Sequence, residues 1–531
     1  MSSTNICSDR IYLGFDFSTQ QLKVIAINED LVILKENAVR FDEDLPDFKT
    51  TGGVHSHSDG VTVTAPTLMW IQALDLLLDK LKADNLDFSK VAAISGSGQQ
   101  HGSVFWKKGA ENGLKSLHSG SSLCEQLKDC FSVADSPIWM DASTTKQCKE
   151  LEAALGGAMH LAEITGSRAY ERFTGNQIAK IFEKSPSSYN NTERISLVSS
   201  FGASLFLGKY APIDFSDGSG MNLLDINKKE WSKDCLNACA ENLETKLGPL
   251  VKSTEILGKI SKYYVEKYGF SPDCEVIAFT GDNPASLAGM RLQEGDICVS
   301  LGTSDTLFLW LTQPKPALEG HIFINPVNSD SYMALLCFKN GSLTREKIRD
   351  EFAGASWETF TKSLKSVPSG NNGNIGIYFD VMEIQPLLSG RFRINKEDQD
   401  VPKFNTAEEE VRAVIEGQFM SRRVHAENLG FNILPKSRVL ATGGASQNKS
   451  ILKVLANILN APVYIQDVSN SASLGAAYQA MRGSLGHTCF NEILNKTSRM
   501  VRAAEPDDST VELYTKLCAR YKQLEERVSQ S

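Results

Sequence analysis

The sequence predicts an α/β protein built as two similar halves. Three observations carry this. The chain has 531 residues, too many for one ordinary core, which gives two domains of roughly 200–300 residues each. A β-rich run, a tight turn of small hydroxylated residues and a second β-rich run occur twice. Residues 11–17 lead through Ser18-Thr19-Gln20-Gln21 into 22–28, and residues 297–301 lead through Gly302-Thr303-Ser304-Asp305 into 306–310. Each half then passes from a β-meander into alternating strands and helices. Identity between the halves is negligible, so the repeat is architectural.

The elements follow in order. The first half opens with strands at about 11–17, 22–28 and 32–41, then a polar loop holding Gly52, Gly53, His55, His57 and Gly60. An amphipathic helix is expected near 66–84 and a strand at 91–95. The second half has strands near 297–301, 305–311, 321–324 and 332–338, a long helix at 407–429 and a strand at 438–442. The polar stretch 255–272 marks the boundary, giving domains 1–270 and 271–531, and 368–374 reads as an exposed loop.

Composition excludes several classes. Hydrophobic content of 41% and charged content of 22% are those of a globular protein. The net charge is −9 and no dense Lys/Arg run occurs, so neither nucleic acid nor an anionic membrane is an expected partner. No secretory signal and no spanning apolar run is visible. The 11 cysteines form no CxxC pair; Cys235 and Cys239 stand four apart in a helical stretch without a nearby His. Reduced thiols and a cytoplasmic location are expected.

A turn of small hydroxylated residues offers several N–H and O–H groups at one point, which suits phosphate. The two turns therefore suggest a phosphorylated ligand. The commoner nucleotide signatures are missing: there is no GxxxxGK[ST], no protein-kinase HRD or DFG set, and 96–102 is spaced wrongly for a dinucleotide fingerprint. Asp16 ends an apolar strand beside the first turn. A carboxylate there either initiates the turn or holds Mg²⁺ near phosphate.

Asp282 follows the buried strand 276–280. Pro284 fits a first helical position and makes Asn283 the natural N-cap, leaving Asp282 at a helix N-terminus where it stays ionised. Such a carboxylate either belongs to a capping pair or accepts a proton from a hydroxyl. His101 follows a Gly-rich turn at a strand end, where α/β sheets bind ligands; a locally bonded loop histidine is the other reading. Arg172 is a ligand contact or the partner of Glu171. Gly443-Gly444 sits between a strand and an amphipathic helix, which admits either a ligand against backbone or tight packing. The helix from Ser471 is rich in small residues, which close packing explains. Trp357 either stacks on a base or is an ordinary core ring.

Taken together these segments resemble the FGGY carbohydrate kinases, of the superfamily sharing the fold of hexokinase and actin. The resemblance rests on 16–23 (DFSTQQLK), 95–102 (SGSGQQHG), 171–178 (ERFTGNQI), 279–284 (FTGDNP), 300–304 (SLGTS) and 441–446 (ATGGAS). It runs from Asp16 to about Tyr478 and is nearest to the animal-type members that act on D-xylulose. It implies two actin/hexokinase-like, ribonuclease H-like domains flanking a nucleotide and sugar cleft. The implied reaction is transfer of phosphate from ATP to D-xylulose, with the domains closing over the ligands; another ketose or a polyol such as ribulose or glycerol is the alternative substrate. By the same resemblance Asp282 is the general base, and His101, Arg172, Asp282 and Asn283 hold the sugar. Thr19, Gly302 and Thr303 face the phosphates, Asp16 positions Mg²⁺, and Gly443, Gly444, Asn448 and Trp357 line the adenosine site. A monomer or homodimer is expected. The family usually carries Gly where this chain has Ser18, and a Cβ there narrows the first turn.

Overall fold

The computed structural model describes residues 9–434, 436–466, 470–497 and 500–530. The described residues of Met1–Arg291, Phe323–Asp330 and Ser469–Ser498 form one unit, and those of Leu292–Ile322, Ser331–Val468 and Arg499–Ser531 form the other. The first unit thus runs past the expected boundary at 270/271 and takes back two later segments. Burial explains the difference. The strand Glu275–Ile277 pairs into the first sheet, and the helix Ser471–Leu485 packs on that sheet and on the helix Asp282–Gly289.

In the first unit β1 (Ile11–Phe17), β2 (Gln21–Ile27) and β3 (Ile33–Arg40) form an antiparallel meander. β4 (Val91–Gly98) lies parallel to β1 on its other side. β5 (Ile256–Lys259) and β6 (Glu275–Ile277) complete the order β5-β6-β4-β1-β2-β3, while the short β7 (Thr280–Gly281) pairs with the far end of β4. Period 2 assigns the faces of β1. Leu13, Phe15 and Phe17 enter one core with Trp70, Trp106 and Phe201, while Tyr12 enters a second core with Ile277, Ala477 and Met481. Gly14 lies on this second side, where a Cβ would come within 2.0 Å of the Ser473 carbonyl oxygen. Asp16 follows in the same alternation.

The second seven-stranded sheet repeats the pattern. β8 (Ile297–Leu301), β9 (Asp305–Leu311), β10 (His321–Ile324) and β11 (Tyr332–Phe338) precede β12 (Val439–Thr442), β13 (Val463–Ile465) and β14 (Val501–Ala504). The order is β10-β11-β9-β8-β12-β13-β14, with β8, β9 and β11 antiparallel and β12 parallel to β8. The two meanders therefore share one pairing scheme, as expected of an actin/hexokinase-like chain. The long helix Ala407–Asn428 is apolar where it meets the unit's interior and carries buried Arg412, Glu416 and Arg422. Among the described residues, no helix is long and apolar enough to cross a membrane.

Candidate active site

The first unit gathers its polar residues around the end of β4. Register places Ser97 opposite Asp16 on β1 and opposite Thr280 on β7. One strand end thus holds Asp16 on one flank and the 280–283 segment on the other.

Asp16 is 5% exposed, and its carboxylate accepts from Ser97 Oγ at 2.9 Å and from Ser18 Oγ. Burial raises its pKa above the usual carboxylate value. The Ser18 hydroxyl is therefore turned onto Asp16. Thr19 Oγ1 accepts from the indole Nε1–H of Trp139 at 2.8 Å.

Asp282 begins the helix Asp282–Gly289, whose N-cap is Gly281. Asn283 is thus inside the first turn and not the cap. Pro284 still falls in that turn, where its missing N–H costs nothing. All three donors to Asp282 fall on Oδ1: the backbone N–H of Asn283 at 2.8 Å, Asn283 Nδ2 at 3.1 Å and the backbone N–H of Gln100 at 3.3 Å. Asn283 Nδ2 also donates to Gln100 Oε1 at 2.9 Å. The carboxyl keeps some accessible surface, yet protein packs densely round it. Desolvation, then the Asp16 charge, raise its pKa from 3.8 to about 7.

His101 sits at φ 71° and is 7% exposed, with its ring stacked on Phe173 at 4.4 Å. Its Nδ1 lies 2.8 Å from the Gly220 carbonyl oxygen. A carbonyl only accepts, so Nδ1 carries the proton and Nε2 is left as an acceptor. Burial, then the Arg172 charge, lower the imidazole pKa to about 3, which keeps the ring neutral. The Arg172 guanidinium lies over Tyr170 at 4.9 Å and Phe173 at 5.6 Å. Its aromatic support and its charge on His101 place it at this site.

The second unit holds a cavity of about 860 Å³, lined by Gly302, Thr303, Trp357, Thr361, Gly444 and Asn448 among others. Trp357 is 39% exposed, with the Arg349 guanidinium 4.8 Å from its ring, so it is no core residue. Asn448 caps the helix Lys449–Leu459 through Oδ1 and donates from Nδ2 to Thr361 Oγ1 at 3.0 Å. Gly443 stands behind Gly444 at φ 80°, where a Cβ would come within 2.6 Å of the Leu301 carbonyl oxygen. Close packing on β8 accounts for this glycine, while Gly444 faces the cavity with no atom within 4 Å of an added Cβ.

Ser97, Gln100, Trp139, Gly220 and Thr361 were not singled out by sequence reasoning. Gln100 is next to His101, but its tie to Asn283 spans 183 residues. A divalent cation fits the first site as a one-carboxylate metal. Among the described residues no group of three or more His, Cys, Asp or Glu could hold a metal. Mg²⁺ commonly takes one or two carboxylates and completes its shell with water and substrate phosphate. The mutual repulsion of Asp16 and Asp282 is the feature such a cation relieves.

Comparison with known proteins gives two family matches: the N-terminal domain of the FGGY family of carbohydrate kinases over residues 11–289, and its C-terminal domain over 297–484. A xylulose kinase of Rattus norvegicus is 60% identical over 521 residues, covering 98% of this chain and 97% of the rat protein. Xylulose kinase 2 of Arabidopsis thaliana is 50% identical, covering 91% and 89%. The fold is shared with a ligand-bound xylulose kinase of Lactobacillus acidophilus (TM-score 0.77, 18% identity, 98% and 99% covered). It is also shared with a Plasmodium falciparum glycerol kinase with ADP (TM-score 0.73, 16% identity, 98% of each chain covered).

Proposed function

The chain belongs to the FGGY family of carbohydrate kinases, and from that premise we propose that it transfers the terminal phosphoryl group of ATP to D-xylulose, giving ADP and D-xylulose 5-phosphate. The choice of sugar rests on animal and plant relatives named for that substrate.

The observation that carries the reaction is Asp282. Its Oδ1 is held by three N–H donors, which leaves Oδ2 to take a proton. A pKa of about 7 matches a general base at neutral pH. Asp282 accepts the proton of the attacking sugar hydroxyl. That oxygen bonds to the terminal phosphorus as the bond from phosphorus to ADP breaks, and ADP leaves with the electron pair. His101 accepts a sugar hydroxyl at Nε2, and Arg172 and Asn283 donate to others.

In the second unit Gly302 and Thr303 take the phosphates, while Gly444, Asn448 and Trp357 frame the adenosine and Gly443, packed on Leu301, backs that wall. Thr19 is the first unit's phosphate contact. When bound, Mg²⁺ would be held by Asp16 and would neutralise phosphate charge. A cytoplasmic location is supported by the 10 described cysteines, all free thiols.

The test is ADP release against D-xylulose, ribulose and glycerol. We expect preference for D-xylulose. Equal or better turnover of ribulose or glycerol would overturn the sugar, and no ADP release with any acceptor would overturn the reaction.

A further inference from the structure

Beside the base stands a buried acid with no part in the proton transfer. Asp217 is 1% exposed and lies in the one-turn helix Phe215–Gly218. Asp214 caps that turn by accepting from the N–H groups of Ser216 and Asp217 at 3.2 and 3.1 Å. Ser199 Oγ donates to Asp217 Oδ2 at 2.5 Å. The other oxygen, Oδ1, is buried without a hydrogen-bond partner. Burial, then the Asp214 charge, raise the Asp217 pKa well above the usual carboxylate value, and the Asp282 charge adds to the rise.

Gly281, the residue before Asp282, brings this acid against Gln100. The point where a Cβ on Gly281 would stand is 2.7 Å from Asp217 Oδ1, 2.5 Å from Gln100 Cγ and 2.9 Å from Gln100 Cδ. Gln100 Nε2 is likewise buried without a partner. The oxygen of the same amide is engaged: Oε1 accepts from Asn283 Nδ2 at 2.9 Å. Asn283 Nδ2 and the Gln100 backbone N–H both donate to Asp282 Oδ1. Turned over, the Gln100 amide would set its NH₂ group against that of Asn283, donor to donor. An acceptor on the Nε2 side opposes this, and Asp217 Oδ1 is the acceptor left over. The Gln100 side chain favours the ionised form of Asp217, as an N–H directed at a carboxyl does.

We propose that Asp217 is a positioning residue for the general base: its Oδ1 accepts from Gln100 Nε2 and holds that amide in the orientation that accepts from Asn283, which keeps the donors of Asn283 and Gln100 on Asp282 Oδ1 and leaves Asp282 Oδ2 for the sugar hydroxyl proton. This rests on the reading of Asp282 as the base. With a proton shared between Oδ2 and Ser199 Oγ, Asp217 meets Gln100 as a neutral carbonyl and adds no further negative charge beside Asp282.

The experiment is steady-state kinetics of the full chain with D-xylulose and ATP. Asp217→Leu removes the acceptor at similar volume and should lower kcat/KM for the sugar roughly tenfold, with the KM for ATP within about twofold of wild type. Asp217→Asn keeps a carbonyl oxygen toward Gln100 and an NH₂ group toward Ser199, and should stay within about threefold of wild type. Gln100→Leu should lose at least as much as Asp217→Leu, and adding Asp217→Leu to it should cost no more than about twofold further. A further tenfold loss in the double variant would mean that Asp217 does not act through Gln100, and overturns the proposal. So does wild-type kinetics in Asp217→Leu, or an Asp217→Asn enzyme as impaired as Asp217→Leu. Should Asp217→Leu not fold, the other two single variants decide: a tenfold loss in Asp217→Asn, or wild-type kinetics in Gln100→Leu, refutes it. If wild type phosphorylates no acceptor, the reading of the site itself fails.

Discussion

The imidazole of His101 donates its Nδ1–H to the carbonyl of Gly220 at 2.8 Å, and that single bond fixes the tautomer, leaving Nε2 as the acceptor. His101→Phe keeps a ring against Phe173 and removes the Nε2 acceptor. One lost hydrogen bond predicts a sugar KM raised roughly three- to tenfold, with the KM for ATP unchanged. The orphaned Gly220 carbonyl costs about 1–3 kcal/mol of stability as well. Because the imidazole pKa is lowered to about 3, His101 stays neutral between pH 5 and 8. Steady-state kinetics of the variant check this; an unchanged sugar KM removes His101 from the site.

Asp282 sets two opposed pH dependences. As the base it must be ionised, so kcat/KM should fall as pH drops below about 7. Its folded pKa is raised, so its contribution to stability is fully present below the unfolded value of 3.8 and is lost as pH rises through about 7. Asp282→Asn should therefore raise Tm more at pH 8.5 than at pH 5, while turnover drops at least ~100-fold. Wild-type turnover in this variant would falsify the assignment.

Gly475 lets two helices touch. A Cβ there would come within 1.8 Å of the Ala285 carbonyl oxygen in the helix that Asp282 begins. Gly475→Ala should cost about 1–3 kcal/mol or more by overpacking. It should also lower kcat by displacing Asp282. Denaturant unfolding and turnover, measured together, test this; loss of stability with kcat intact breaks the link.

Trp357 is an exposed ring in the wall of the second unit's cavity. Trp357→Ala should leave stability within about 1 kcal/mol. If the ring stacks on adenine, the KM for ATP rises roughly three- to tenfold. An unchanged KM places the base elsewhere.

His425 clamps the C-terminal helix Val511–Ser529 to the helix Ala407–Asn428. Its ring nitrogens lie 3.2 Å from Glu319 and 3.0 Å from Glu525. Hydrogen bonding to these carboxylates, outweighing desolvation, raises its pKa to about 9. The stability it contributes is therefore present below the unfolded value of 6.5 and lost as pH rises through about 9. His425→Gln should lower Tm at pH 7 and match wild type near pH 10. A Tm difference independent of pH refutes the clamp.

Most of the site was legible residue by residue and little of it as an arrangement. Asp16, His101 and Asp282 stood out because each stands at the end of a strand, in or beside a turn. The Asn283 cap was misassigned because Pro284 satisfies any position of the first turn equally well. Gly443 and Gly444 look alike in the chain, yet one packs on Leu301 and the other faces open space. Trp357 is one aromatic in a polar helix, and only its surroundings separate a core ring from a cavity wall.

The amino-acid sequence alone determined the two β-meanders, their turns and the faces of β1. Alternation of period 2 and turn chemistry are local, so neighbouring residues suffice to specify them. The tertiary structure decided what meets what. Asp16 and Asp282 share one electrostatic field because β1 and β7 pair in parallel with one strand, β4. The helix Ser471–Leu485 belongs to the first unit because Gly14, Gly289 and Gly475 leave room for its backbone. Parallel pairing and close helix contact join segments far apart in the chain, and the burial that stabilises them exists only once those segments are brought together.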